Sequence, residues 1–215
     1  MKTNKIFMLL LAALAILFCG LTAGVLSACG DDDDKADEKQ DSMEALCHVL
    51  VSDDVLKVAD VTVHYLDEKG QQASERMTTP EWKKTWKTTT LPARIGVWPQ
   101  LTPKANAASL QDSYQLKVVT TAGYLFHAAK GGDWANGWVN GDDPYAQSEN
   151  VAAADVQKWC NRGTTVGCKI DAEGMGEPVV VDFGGNDGEE GEHEPYNGFC
   201  LWLLSLFGLG PDYCT

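Results

Sequence analysis

The sequence predicts a mainly β fold, an antiparallel sandwich or meander with one short helix. Apolar and polar residues alternate with period two from Val55 onward, and the strand formers Thr, Val, Trp and Tyr dominate the middle of the chain. Prolines at 80, 92, 99 and 103 interrupt any long helix there. With 215 residues, the chain has room for one domain of ordinary size with extended ends.

In VADVTVHYLDEKGQQASERMT, Val58, Asp60, Thr62 and His64 fall on one face and the apolar set Ala59, Val61, Val63 and Tyr65 on the other. That is a half-buried antiparallel strand. Asp67 to Gly70 is a turn ending in glycine, and Gln72 to Thr78 returns as a second strand. The stretches TPEWKKTWKTTTLPARIGVWPQLTP and SYQLKVVTTAGYLFHA supply further strands. Short strands with turn signals every ten or so residues point to an immunoglobulin-like sandwich, with an open meander plus one helix as the alternative. A helix is expected near 151–162, where Asn150 can cap, Ala152, Val156, Trp159 and Cys160 share a face, and Gly163 can stop it. TTVGCKIDAEGMGEPVVVDF then reads as strand, turn and strand. The β-rich domain is thus assigned to 43–183, between an acidic tether at 29–42 and an acidic, glycine-rich linker at 184–198.

The net charge of −14 is concentrated at these ends. Residues 30 to 42 hold seven acids and two lysines, and residues 182 to 194 hold six acids and no Lys or Arg. The body is mildly acidic and offers no basic footprint, so nucleic acid is not an expected partner. Such acidic runs read as solvated linkers extended by self-repulsion.

The first 28 residues have Lys2 and Lys5, then an uncharged, mostly apolar stretch from Ile6 to Ala28, the layout of a secretory signal. A retained transmembrane helix is the competing reading. Gly20, Thr22, Gly24 and Ser27 weaken its second half, and no basic residue directly follows the span. Leu26, Ser27, Ala28 and Cys29 resemble a bacterial lipobox. The resemblance implies cleavage between Ala28 and Cys29, with lipid on the Cys29 thiol and usually on the new amine. Two or three acyl chains anchor a protein stably where one does so marginally, each buried methylene contributing about 0.8 kcal/mol. Asp31, Asp32, Asp33 and Asp34 resemble the export signal of surface lipoproteins in Bacteroidota. That implies the outer membrane, facing outward. An enteropeptidase recognition string reads identically, but a tag has no reason to sit directly behind a signal. The layout of residues 55 to 130 also resembles small Bacteroidota lipoproteins, and no catalytic motif comes with that resemblance.

None of His48, His64, His127 and His193 lies in a nucleophile elbow or an HExxH setting. His193, between Glu192 and Glu194, lacks a second ligand pair, and GNDGEEGE and NGDD are calcium-like in composition only. Neither a metal nor a cofactor is expected. Trp134 and Trp138 flank DWANGWVNGDD and admit either sugar stacking or cross-strand packing, while Trp82, Trp86 and Trp98 suit packing.

With Cys19 in the signal and Cys29 lipidated, Cys47, Cys160, Cys168, Cys200 and Cys214 remain, an odd number. Short loops favour Cys160 with Cys168 and Cys200 with Cys214, although connectivity is not legible from sequence. The spacings contain no CxxC pair, against zinc. The tail at 199–215 has an apolar stretch from Phe199 to Leu209, too short to span a bilayer and without a charged face. It is expected to dock on its own domain or on a partner. The expected function is a noncatalytic, lipid-anchored outer-membrane protein with an interaction or adhesion role, its partners being the membrane and a protein or glycan. An accessory subunit of an envelope complex docking through the tail is the alternative, and a hydrolase without recognisable motif comes third.

Overall fold

The computed structural model describes residues 40–106, 111–142, 146–162, 164–184 and 206–208. Ala28, Cys29, Asp31 to Asp34, Gly163, His193, Cys200 and Cys214 lie outside them. In chain order the elements are β1 (Ser42–Val51), α1 (Asp53–Val58), β2 (Ala59–Leu66), β3 (Gln72–Arg76), β4 (Glu81–Thr88), β5 (Ala93–Pro103) and β6 (Ser113–Leu116). They continue as β7 (Val118–His127), β8 (Asp133–Gly141), β9 (Glu149–Ala152), a 3-10 turn (Ala153–Asp155), α2 (Val156–Cys160), β10 (Val166–Ile170) and β11 (Gly176–Pro178). Two antiparallel sheets form the sandwich, one ordered β4-β1-β7-β8 and the other β11-β10-β5-β2-β3, while β6 and β9 pair separately.

Alternation explains the layers. Ala59, Val61, Val63 and Tyr65 of β2 are buried, whereas Asp60, Thr62 and His64 are partly exposed. They meet Met43, Ala45, Cys47, Val49 and Val51 of β1, together with Ala122, Tyr124 and Phe126 of β7, in one core. The β2–β3 turn is locked by Asp67, whose carboxylate accepts from the backbone N–H groups of Lys69 and Gln71, while Gly70 takes the left-handed conformation at φ 70°.

Two elements differ from expectation. The strand pattern begins at Ala59 because Asp53–Val58 forms a short helix that buries Val55 and Val58, and Asp54 receives hydrogen bonds from Lys57 and the Gln115 N–H. The helix expected near 151–162 is confined to Val156–Cys160 after the 3-10 turn, since Glu149–Ala152 pairs as a strand with β6 and sets buried Val151 beside buried Tyr114. Asn150 therefore accepts from Gln115 across the strands instead of capping, and Ala152 is exposed.

Edge strands β3 and β4 lie in different sheets and are clasped at Glu75. Its carboxylate accepts from Tyr65 Oη at 2.8 Å, Trp82 Nε1 at 2.9 Å and Lys84 Nζ at 2.7 Å. These contacts hold it down to a pKa of about 2, with the Lys84 hydrogen bond the largest cause. Inward-pointing charges on edge strands also discourage edge-to-edge association.

The outer faces of both sheets are partly covered. On the five-stranded sheet, Val181 and Phe183 pack with Leu66 and Trp98. Val181 lies so close to Gly96 and Gly167 that a Cβ there would fall 2.8 and 2.6 Å from Cγ2. On the four-stranded sheet, Leu46 is fully buried and packs with Ala135, Val139, Leu206 and Phe207. This part of the apolar tail folds back onto its own domain.

Candidate functional site

The richest concave region surrounds α2. Val156, Trp159 and Cys160, at helical spacing, bury one side of this single turn. The chain then leaves through Asn161 and Arg162, whose guanidinium lies 5.2 Å from the centre of the Trp159 ring. Arg162 donates to Glu149 on β9 and stands 3.7 Å from Asp142, just beyond β8. It therefore ties three chain segments together while remaining 40 % exposed. A planar guanidinium suits this combination of ring stacking and carboxylate pairing.

Arg162 separates two clefts. One, of about 390 Å³, is bordered by Glu149, Asn150, Asp155, Lys158 and Trp159. The other, of about 340 Å³, is bordered by Trp98, Gln100, Leu101, Cys160 and Asn161. These volumes fall at the small end of ligand sites. The walls mix both charges with amide and indole groups, a surface able to meet hydroxyls, amides and carboxylates. The Trp159 indole N–H is buried with no acceptor among the described residues. Leaving such a group unsatisfied costs about 1–3 kcal/mol.

The described histidines serve the fold. His48 is buried on β1 beside Glu81 of β4 at 3.1 Å, and burial pulls its pKa below the ordinary histidine value despite that carboxylate. His64 pairs with Gln100 and stacks on Trp98 with ring centres 5.0 Å apart, and His127 pairs with Asp133 at 3.0 Å. Asp142 of the NGDD stretch accepts from the Val118 N–H. Among the described residues no three His, Cys, Asp or Glu side chains converge as a ligand set.

The tryptophans also resolve as packing. Trp134 stacks on Phe126 with centres 4.5 Å apart and donates to Gly174 O, while Trp138 stacks on Tyr124. One face of each ring is thus occupied by the core. Trp82 is buried, Trp86 packs against the core, and Trp98 lies on the outer face of the five-stranded sheet.

Cys160 and Cys168 are both free thiols, contrary to the pairing that the short loop favours. They face different surroundings. Cys168 points between the sheets from β10 and is fully buried, whereas Cys160 ends α2 beside the second cleft. Burial pushes the Cys160 thiol up to about 11. Arg162 escapes sequence reasoning because its partners Asp142, Glu149 and Trp159 come from separate stretches; the one local signal is an arginine directly after an amphipathic turn.

These features define a two-sheet antiparallel sandwich with a polar, arginine-centred cleft pair at one helix. No family model, curated protein or solved structure matches the chain.

Proposed function

We propose that this protein is a lipid-anchored lipoprotein of the bacterial outer membrane, facing outward, whose sandwich is a noncatalytic interaction module. The observation that carries the interaction reading is the Arg162 ridge, a partly exposed cation between two clefts that lies over the Trp159 ring. Its chemistry suits a polar ligand rich in acceptors, either a glycan or a protein segment. The anchor reading rests on Leu26 to Cys29 and the aspartates behind it, which precede β1 by a short acidic stretch. The packing of Leu206 and Phe207 on Leu46 favours a tail that belongs to its own domain over one that docks an envelope complex.

The test is binding of the detergent-solubilised lipoprotein to glycan and protein arrays. We expect saturable binding to one ligand class, weakened about tenfold or more by Arg162→Ala with the melting temperature monitored, since one charged contact contributes about 1.4 kcal/mol or more. Binding that Arg162→Ala leaves unchanged refutes the assignment. For the address, Cys29→Ser should abolish lipid labelling. Replacing Asp31 to Asp34 with alanine should reduce protease access on intact cells while lipidation persists; unchanged access removes their export role.

A further inference from the structure

Cys47 and Cys168 sit on opposite sheets, and both side chains are fully buried in the same core. The sheets approach unusually closely here. The Cys47 thiol donates to Gly96 O of β5 at 3.6 Å, across the sandwich from its own strand. Facing sheets ordinarily lie about 10 Å apart, a gap that the short cysteine side chain does not bridge to the opposite backbone. Small neighbours permit the approach, since Ala45 shares the inner face of β1 and Ala122 is the cross-strand partner of Cys47 on β7. On the other side, Cys168 is the cross-strand partner of Ile95, the residue before Gly96. The Ile95 backbone also hydrogen-bonds the Cys168 thiol, and Cys47 is close enough to oppose its ionisation. Both thiols therefore converge on adjacent backbone groups of β5.

We propose that Cys47 and Cys168, both free thiols in this structure, become joined by an inter-sheet disulfide in the exported protein. The proposal rests on the extracytoplasmic address given above, where disulfides form and persist. The oxidant is the disulfide of an extracytoplasmic thiol–disulfide oxidoreductase. One protein thiolate attacks a donor sulfur and releases the first donor thiolate. The second protein thiolate then attacks the mixed disulfide at the protein sulfur and releases the other. One S–S bond forms in the protein and one breaks in the donor, two electrons pass to the donor, and the two protein protons end on its thiols. Because both side chains are fully buried, the donor disulfide reaches them only before the sheets close. Cys160 is left outside the bond.

The experiment uses the full chain, made with its own signal in a bacterium whose envelope contains such an oxidoreductase. Cells are acid-quenched, thiols are blocked with N-ethylmaleimide under denaturing conditions, and the protein is digested without reduction. A crosslinked peptide pair carrying Cys47 and Cys168 is expected. Maleimide on both, or Cys168 linked to Cys160, overturns the proposal. Lipid label on Cys29 in the same sample separates the two readings: labelled protein with both thiols blocked refutes the disulfide and leaves the address standing, while unlabelled protein with blocked thiols refutes both. As a second measurement, reduction should lower the Tm by roughly 10 °C more in the wild type than in Cys47→Ser. An equal drop in both contradicts the bond.

Discussion

Glu75→Gln tests the clasp between the edge strands most directly. The wild-type carboxylate receives hydrogen bonds from Lys84, Trp82 and Tyr65, which lower its pKa from the ordinary 4.5 to about 2. At 1.36 kcal/mol per unit, that depression corresponds nominally to about 3.4 kcal/mol. Glu75 and Lys84 are 41 % and 43 % exposed, so solvent screening reduces the figure to about 1 kcal/mol. Replacing one oxygen by an amide also turns an acceptor toward three donors as a competing donor, which adds about 0.5–1 kcal/mol. A loss of about 1–2 kcal/mol at pH 7 is therefore expected, or roughly 3–6 °C in Tm for a domain of this size. The folded-state pKa is depressed, so the stabilisation is fully present above about 4.5 and is lost as pH falls through about 2. Urea unfolding of wild type and variant at pH 7, 4 and 2.5 should show the two curves converging in acid. A difference independent of pH, or one below about 0.3 kcal/mol at pH 7, would refute the clasp.

Three further outcomes follow from packing and burial. Gly167→Ala should cost about 2–3 kcal/mol in chemical denaturation, because its Cβ would meet Val179 O at 2.9 Å as well as Val181. At Gly96→Ala the three nearest atoms all belong to the Val181 side chain, so the cost should be smaller and Val181→Ala should rescue position 96 more than position 167. Phe207→Ala should destabilise by about 1–2 kcal/mol and couple to Leu46→Ala by more than about 0.5 kcal/mol in a double-mutant cycle; additive effects would remove the tail contact. His48 is buried with a lowered pKa, so the unfolded chain binds its proton first as pH falls below about 6.5. Wild-type stability should decline between pH 7 and 5 by at most about 1.4 kcal/mol per pH unit from this group, and His48→Gln should flatten that decline. Parallel curves would contradict it.

The β2–β3 hairpin was legible because its alternation and its Asp67 turn are local. The same is true of β10 and β11 around a turn ordered by Asp171, whose carboxylate accepts from the Glu173 and Met175 N–H groups. Elements decided by remote pairing were not legible. The stretch from Asn150 reads as the start of a helix because Asn150 can cap and Ala152 shares a face with Val156, Trp159 and Cys160. Yet β6 captures Glu149–Ala152 as a strand, and no local signal announces that partner. Arg162 is meaningless in sequence until Asp142, Glu149 and Trp159 converge on it. Likewise, sequence distance favours Cys160 as the partner of Cys168, while the packing of one sheet on the other sets Cys47, from the other end of the domain, in the same core as Cys168.

The covers on the two outer faces have a consequence for the order in which the chain emerges. Val181 and Phe183, and later Leu206 and Phe207, all follow the last strand, β11. Every hydrogen bond of the two sheets can therefore form while Trp98, Leu66 and Leu46 are still bare. A chain stopped at Pro178 would present paired sheets with sticky outsides, a form open to chaperones and proteases. The apolar residues beyond Pro178 are thus late-arriving covers, which close the outer faces of sheets whose pairing does not depend on them.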